Sequence, residues 1–426
     1  MNGQAKTESS AFQGCGTEYG DAARAAPRRG AGRPPPPRIV YDALVLRAPF
    51  SGVENAVAEQ AEALARLERA HFRCTILWPR SLRGSVQPEP TSGHAVERCG
   101  PCCSSRVLRL LWEQVVLPTR LRRSGVDLLH APAYLAPLGA SCPVVLTVYD
   151  LHALDHPERC RSLNRWNYRL LLPYSIRKAA RIIVPSDHTR DAVLRRFPSV
   201  SDRVRVIPLG IHPRFRVLGP ADRWHTAPKM PPGLPQHYLL CVGNIEPRKH
   251  LSLAVEALAA LRLKGYPELR LVVVGHATMG DPAFDAAIRH HGLEAAVTRL
   301  GHVPEDVLPR LYADAAALVF PSVAEGFGLP PLEAMACGCP VVCSDATALR
   351  QTAGDGAMYF EPRSAEALAH TVVAVLSSDE RREDLRQRAL RHLANFQWPA
   401  LIQRVANVYS EVLGEVRGSG SVSGSV

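Results

Sequence analysis

No stretch of about 18 consecutive apolar residues occurs in this 426-residue chain, so no transmembrane helix is expected. The N-terminus has no apolar core, which gives no reason to expect a secretory signal. Eleven cysteines in a chain this long do not make a disulfide scaffold, and a reducing cytoplasm is the expected setting. Cys241, Cys337, Cys339 and Cys343 sit among apolar or small residues, as buried free thiols do. Cys99, Cys102 and Cys103 contain a C-x-x-C core, but no second ligand pair stands at a suitable distance, so no metal is expected. Basic tracts are not interleaved with aromatics and no nucleic-acid motif occurs, so the net charge of +11 does not suggest nucleic acid. An anionic substrate and an anionic membrane surface account for that charge more simply.

What is present is an alternation of short apolar runs with helical stretches. Residues 1–37, rich in Gly, Ala, Arg and Pro, read as a disordered leader. The first domain is expected over 38–211. Its strands fall near Val40–Leu46, Cys74–Trp78, Val126–His130, Val144–Val148, Arg181–Val184 and Val204–Ile207, with 81–105 a mobile loop. Residues 212–236 contain six prolines and read as a linker. The second domain is expected over 237–394, a terminal helix over about 395–415 and a flexible tail over 416–426. Such spacing predicts an α/β fold of two parallel sheets, each covered on both faces.

One stretch carries more information than the rest. Between an apolar run ending at Phe320 and another at Val341 lies a loop with Gly326 and Gly328, opening into a helix near Leu329. A helix start leaves N–H groups unpaired and favours an anion. Glu325 precedes that helix and Glu333 lies one turn inside. From physics alone this is equally a packed strand-to-helix crossover. Arg248 and Lys249 follow Gly243 at another expected strand end. They could neutralise a diphosphate, or be a solvated basic loop.

The whole pattern, Glu325-Gly-Phe-Gly-Leu-Pro through Glu333 to Val341-Val342, resembles the donor-site signature of family 4 glycosyltransferases. Gly243 through Pro247-Arg248-Lys249 resembles a second motif of that family, and the likeness spans about residues 38–415. It implies a GT-B fold, with two Rossmann-like domains facing across a cleft and the terminal helix crossing back to the first. It also implies retaining transfer of a sugar from a nucleotide diphosphate. Arg248, Lys249 and the amides near Gly328 and Leu329 would meet the diphosphate; Glu325 would hold sugar hydroxyls and Glu333 the ribose. Gly52, Gly243, Val303, Gly326 and Phe327 complete the implied donor side.

Tyr149-Asp150 stands where the family usually has His-Asp, and Tyr149 could hydrogen-bond a sugar hydroxyl or simply pack at a strand end. His130 and Tyr134 resemble an acceptor-side loop of bacterial mannosyl- and rhamnosyltransferases. His152 and His156 read as ordinary loop histidines, and Gln351, where relatives often have Glu, as structural. No carboxylate on the first domain stands out for double displacement. No Asp-x-Asp occurs, which fits a site needing no metal or other cofactor.

The expected partners are a nucleotide-sugar donor, GDP-mannose first, and a saccharide or lipid-linked acceptor. An anionic inner membrane face is the third, contacted by basic and bulky residues between Arg159 and Arg181. A sugar-nucleotide epimerase and an inactive binding subunit are the alternatives.

Overall fold

The computed structural model describes residues 35–50, 52–68, 70–82, 87–91, 93–101, 105–155, 162–219, 230–277 and 280–421. His156, Cys102, Cys103, Arg159 and Arg161 lie outside the described residues, as do the side chains of Arg165 and Trp166.

Near-continuous apolar runs dictate strands buried on both faces. In the first domain these are β1 (Arg38–Asp42), β2 (Arg73–Pro79), β3 (Ala95–Cys99), β4 (Leu128–Ala131), β5 (Val144–Thr147), β6 (Arg181–Val184) and β7 (Val204–Val206). They form one parallel sheet in the order β3-β2-β1-β4-β5-β6-β7. The second domain contributes β8 (Tyr238–Val242), β9 (Arg270–Val274), β10 (Val297–Gly301), β11 (Ala317–Phe320), β12 (Val341–Ser344) and β13 (Ala357–Phe360). These also run parallel, in the order β10-β9-β8-β11-β12-β13. Strand order reverses between β1 and β4 and again between β8 and β11. Crevices at such reversals, beyond the carboxyl ends of the strands, are where ligands sit in open parallel sheets.

β3 corrects the expected loop over 81–105. Its sequence, Ala-Val-Glu-Arg-Cys, buries only Cys99 and lies at the sheet edge, so no apolar run announces it. His130 consequently lies on the fourth strand and Tyr149 follows the fifth, each one strand later than expected.

Helix Arg106–Arg123 continues through Pro118. The terminal helix spans Trp398–Ser421, longer than expected, and crosses to the first domain. Trp398 Nε1 donates to Glu59 Oε2 at 3.1 Å on helix Gly52–Ala65. Arg181 at the start of β6 pairs with Glu411 at 2.9 Å and with Glu415. Next to Trp398, the two connections between domains touch: Ile211 N donates to Phe396 O at 2.9 Å. A Cβ at Gly210 would stand 2.5 Å from the Trp398 ring, so only glycine fits there.

Candidate active site

β8 ends at Val242, and Gly243 follows with φ 137°. A Cβ at Gly243 would stand 2.9 Å from Lys249 Cε, so the missing side chain makes room for the lysine stem. Pro247–Lys249 form a single 3-10 turn, and His250, left-handed at φ 50°, turns the chain into helix Leu251–Leu263. Lys249 is thereby buried, with its ammonium 4.6 Å from the Phe320 ring centroid.

β11 delivers the opposing carboxylate. Glu325 Oε1 accepts from Lys249 Nζ at 2.7 Å, Arg248 at 2.9 Å and Ser322 Oγ at 2.6 Å. Arg248 also donates to Glu246 at 3.0 Å and to the Ala324 carbonyl at 3.2 Å. Burial would raise the Glu325 pKa, but Lys249 and then Arg248 outweigh it and hold the carboxyl at about 2. Burial, with the Arg248 charge beside it, lowers Lys249 despite Glu325, while the carboxylates of Glu325 and Glu246 raise Arg248 against burial. Two cations and two carboxylates thus share one largely buried cluster.

Beside the cluster, helix Leu329–Ala336 begins at Gly328, φ 98°. A Cβ at Gly328 would stand 2.7 Å from a Leu349 methyl. Pro330 and Pro331 carry no N–H, so the donors at this helix start are the amides of Gly328 and Leu329. Gly326 lies against the first domain, where any Cβ would run into the Tyr149 carbonyl. Glu333 Oε2 accepts from the Tyr312 hydroxyl at 2.7 Å, and burial raises its pKa to about 7.

A cleft of about 540 Å³ joins the two domains. Tyr134, Asp150, Tyr168 and His188 line it from the first, and Glu246, Arg248, Glu325 and Gly326 from the second. Tyr134 adopts φ 65°, and burial and the nearby Asp150 carboxylate push its phenol well above its usual range. Its ring lies edge-on to those of Tyr149 and Tyr168, with centroids 5.7 and 5.6 Å away. Asp150, expected at the site, lines the cleft from the first domain, and so does Asp155. His152 lines it too, at the start of the short helix His152–Asp155.

Other expected site residues lie elsewhere. His130 is fully buried, its Nδ1 2.6 Å from the Tyr409 hydroxyl and its Nε2 2.8 Å from Thr147 Oγ1. It fastens the terminal helix to β4 and does not face an acceptor. Burial lowers its pKa to about 3. The Phe327 ring turns into the core against Phe396, with centroids 6.1 Å apart, and Val303 is buried in the same core. Tyr149 is likewise a core residue, at 6% exposure. Beside Val303, exposed His302 stacks parallel to His276 with centroids 5.2 Å apart. A Cβ at Gly52 would meet nothing within 4 Å, so packing does not demand that glycine.

The sequence reading missed Ser186, Thr189, His188 and Glu59. A Ser-x-x-Thr cap at Ser186 was visible, but not its partners in the other domain.

Comparison with known proteins agrees with this geometry. The profile described as "Glycosyltransferase Family 4" matches residues 50–215, and "Glycosyl transferases group 1" matches residues 222–392. "O-antigen chain mannosyltransferase B" of Escherichia coli is 30% identical over 285 residues, 66% of this chain and 73% of that protein. The structure of "Sucrose-phosphate synthase (tll1590)" from Thermosynechococcus elongatus superposes with TM-score 0.69 at 21% identity. That match covers 89% of this chain and 100% of the other. Anabaena Alr3699/HepE in complex with UDP-glucose superposes with TM-score 0.65 at 18% identity, over 88% of this chain and 99% of the other. Two doubly wound parallel sheets, a charged cluster at the second crevice and these matches along both domains have one reading: the chain is a member of glycosyltransferase family 4, with the GT-B fold.

Proposed function

We propose that the chain is a retaining hexosyltransferase that needs no metal. It would move mannose from GDP-mannose to a glycan or a lipid-linked saccharide. The observation that carries this reading is the meeting of Arg248, Lys249 and Ser322 on one oxygen of Glu325, beside the helix start at Gly328. As the bond between the anomeric carbon and the diphosphate breaks, negative charge grows on the leaving oxygen. Arg248, Lys249 and the amides of Gly328 and Leu329 meet that charge in a buried setting, where it counts for more than in water. Until a diphosphate arrives, Glu325 and Glu246 supply the counter-charge that buried cations need. Glu325 then orients sugar hydroxyls and Glu333 the ribose.

Retention through front-side attack is the preferred route. Asp150 on the cleft wall supports a second route, in which its carboxylate attacks the anomeric carbon and a glycosyl-enzyme forms. Incubation with donor alone, followed by intact mass, separates the two: a hexose adduct lost in Asp150→Asn supports the second.

Mannose rests on the Escherichia coli relative, whose name states that sugar; the Anabaena neighbour holds UDP-glucose, so UDP-sugars are the competing donors. The matches favour neither an epimerase nor an inactive subunit. Release of nucleoside diphosphate, screened over sugar nucleotides with and without EDTA, tests donor and metal together. Turnover of GDP-mannose that survives chelation is expected. Loss on chelation with recovery in Mg²⁺ would overturn the metal-free reading.

The acceptor reading includes peripheral attachment to an anionic membrane. No helix among the described residues is long and apolar enough to cross one. On helix Ser162–Lys178, Leu170 and Tyr174 are exposed, but Leu172 and Ile176 are buried. The larger apolar face lies on Arg106–Arg123, where Val107, Leu108, Leu111, Val115 and Val116 are all exposed, the last turn carrying Arg120, Arg122 and Arg123. Such a face suits an interface with anionic headgroups. Sedimentation with anionic vesicles should be salt-sensitive and weakened by Leu111→Asp. Failure to bind at low salt would remove the membrane from the reading.

A further inference from the structure

The loop that carries Glu325 is held at three consecutive residues, each from a different element. Glu325 N donates to Thr347 Oγ1 at 3.1 Å, and Phe327 O accepts from Thr352 Oγ1 at 2.7 Å. Both threonines belong to the second domain. Between them, Gly326 O accepts from Ser186 Oγ at 2.6 Å and lies 3.1 Å from Thr189 Oγ1, both in the first domain. Ser186 and Thr189 are fully buried at the start of helix Asp187–Arg196. The Ser186 hydroxyl performs two tasks: it accepts the Thr189 amide at 3.1 Å, capping the helix, and donates its proton to the other domain.

One residue on, a reciprocal pair spans the same junction. Asp187 N donates to Gln351 Oε1 at 2.8 Å, and Gln351 Nε2 donates to Asp187 Oδ2 at 2.7 Å. Arg190 also donates to the Asp187 carboxylate. Gln351 can both accept and donate here, whereas a glutamate would accept only and would set one carboxylate against another.

We propose that Ser186, Thr189 and the Asp187–Gln351 pair form a latch that closes the first domain onto the Gly326 loop, making them positioning residues for Glu325. The partners of the Glu325 carboxylate, Arg248, Lys249 and Ser322, all belong to the second domain. The middle bond of the Glu325 loop forms only when the latch engages. This role rests on the assignment of Glu325 to the donor site; the closure itself does not.

An exchange of partners tests it. Gln351→Glu removes the donor facing Asp187 and should lower turnover about 10-fold. Affinity for a nucleoside diphosphate should stay within about 2-fold, since the latch does not touch the phosphate groups. In Asp187→Asn combined with Gln351→Glu, an amide again faces a carboxylate, and turnover should return to within about 3-fold of the parent. Ser186→Ala with Thr189→Val should cost roughly 10- to 100-fold in turnover through misplacement of the loop. Small-angle scattering of the free protein should show Gln351→Glu more extended and the exchanged pair as compact as the parent. Wild-type turnover and compactness in Gln351→Glu would overturn the latch, as would an exchanged pair that is not rescued. A chain that binds no nucleoside diphosphate but still opens on Gln351→Glu would overturn the donor-site assignment and leave the latch standing.

Discussion

The two sheets share one winding, yet their crevices are filled in opposite ways. At β1 and β4 the protein fills its own crevice. The Tyr41 hydroxyl donates to Val57 O at 3.1 Å and lies 3.0 Å from Gln60 Oε1, while His130 is locked between Thr147 and Tyr409. At β8 and β11 the side chains are ionised, and they satisfy one another through Glu325. The first crevice is finished by neutral hydrogen bonds that have no reason to rearrange. The second is finished by charges that an incoming anion can reorganise. Topology alone therefore offers two sites, and side-chain chemistry retains one.

The largest expected effect is at the second crevice. Arg248→Ala and Lys249→Ala should each lower turnover by roughly 10²-fold or more, the scale of losing one transition-state donor. A double variant with full activity would erase the contrast between the crevices. Glu325→Gln keeps the shape but lifts the negative charge from both cations. It should alter donor-sugar preference, whereas Glu333→Gln should weaken binding of the free nucleoside diphosphate. Equal effects of both variants on both measurements would deny them separate roles.

At the first crevice, His130→Ala should cost stability of about 1–3 kcal/mol, by leaving the Tyr409 and Thr147 hydroxyls unpartnered. Specific activity below the melting range should stay near wild type. A loss of turnover without loss of melting temperature would restore an acceptor role to His130.

Acid sharpens the same contrast. The folded His130 pKa, about 3, lies below its ordinary 6.5. Its contribution is complete above pH 6.5 and is lost as pH falls toward 3. Glu325, held at about 2 against 4.5, loses its contribution only below pH 4.5. Parent and His130→Ala should therefore converge in melting temperature as pH is lowered from 7 to 5, before the Glu325 cluster weakens.

The last comparison concerns Glu59, which burial raises to about 8 despite the bond from Trp398. A raised carboxyl contributes stability below pH 4.5 and loses it as pH rises through 8. Glu59→Gln keeps the acceptor for Trp398 and cannot ionise. It should match the parent at pH 5 and melt higher at pH 8; a constant difference at both would show that Glu59 does not titrate there.

Most strands were legible because burial on both faces demands unbroken apolar runs, as in Val144–Thr147 or Ala317–Phe320. β3 was not, because an edge strand with Glu97 and Arg98 carries no such run. Arg248, Lys249, Glu325 and Gly328 were singled out by the family pattern of their two turns, because local chemistry alone left a packed crossover and a solvated basic loop open. Ser186 and Gln351 were not, since their partners stand 140 and 164 residues away and only folding brings them together. His130 was misplaced because a strand-end position does not say which way the imidazole turns.

The meeting of Gly210 with Trp398 has a mechanical consequence. Both connections between the domains pass through one point, tied by the Ile211–Phe396 bond and pressed together by the indole. With the bonds at Gly326 and Gln351 released, a body held at so tight a point would swing more readily than slide, and the aperture of the cleft would follow the angle at that pivot. Gly210→Ala, far from any phosphate, would act as a wedge in the pivot and change how far the jaws open.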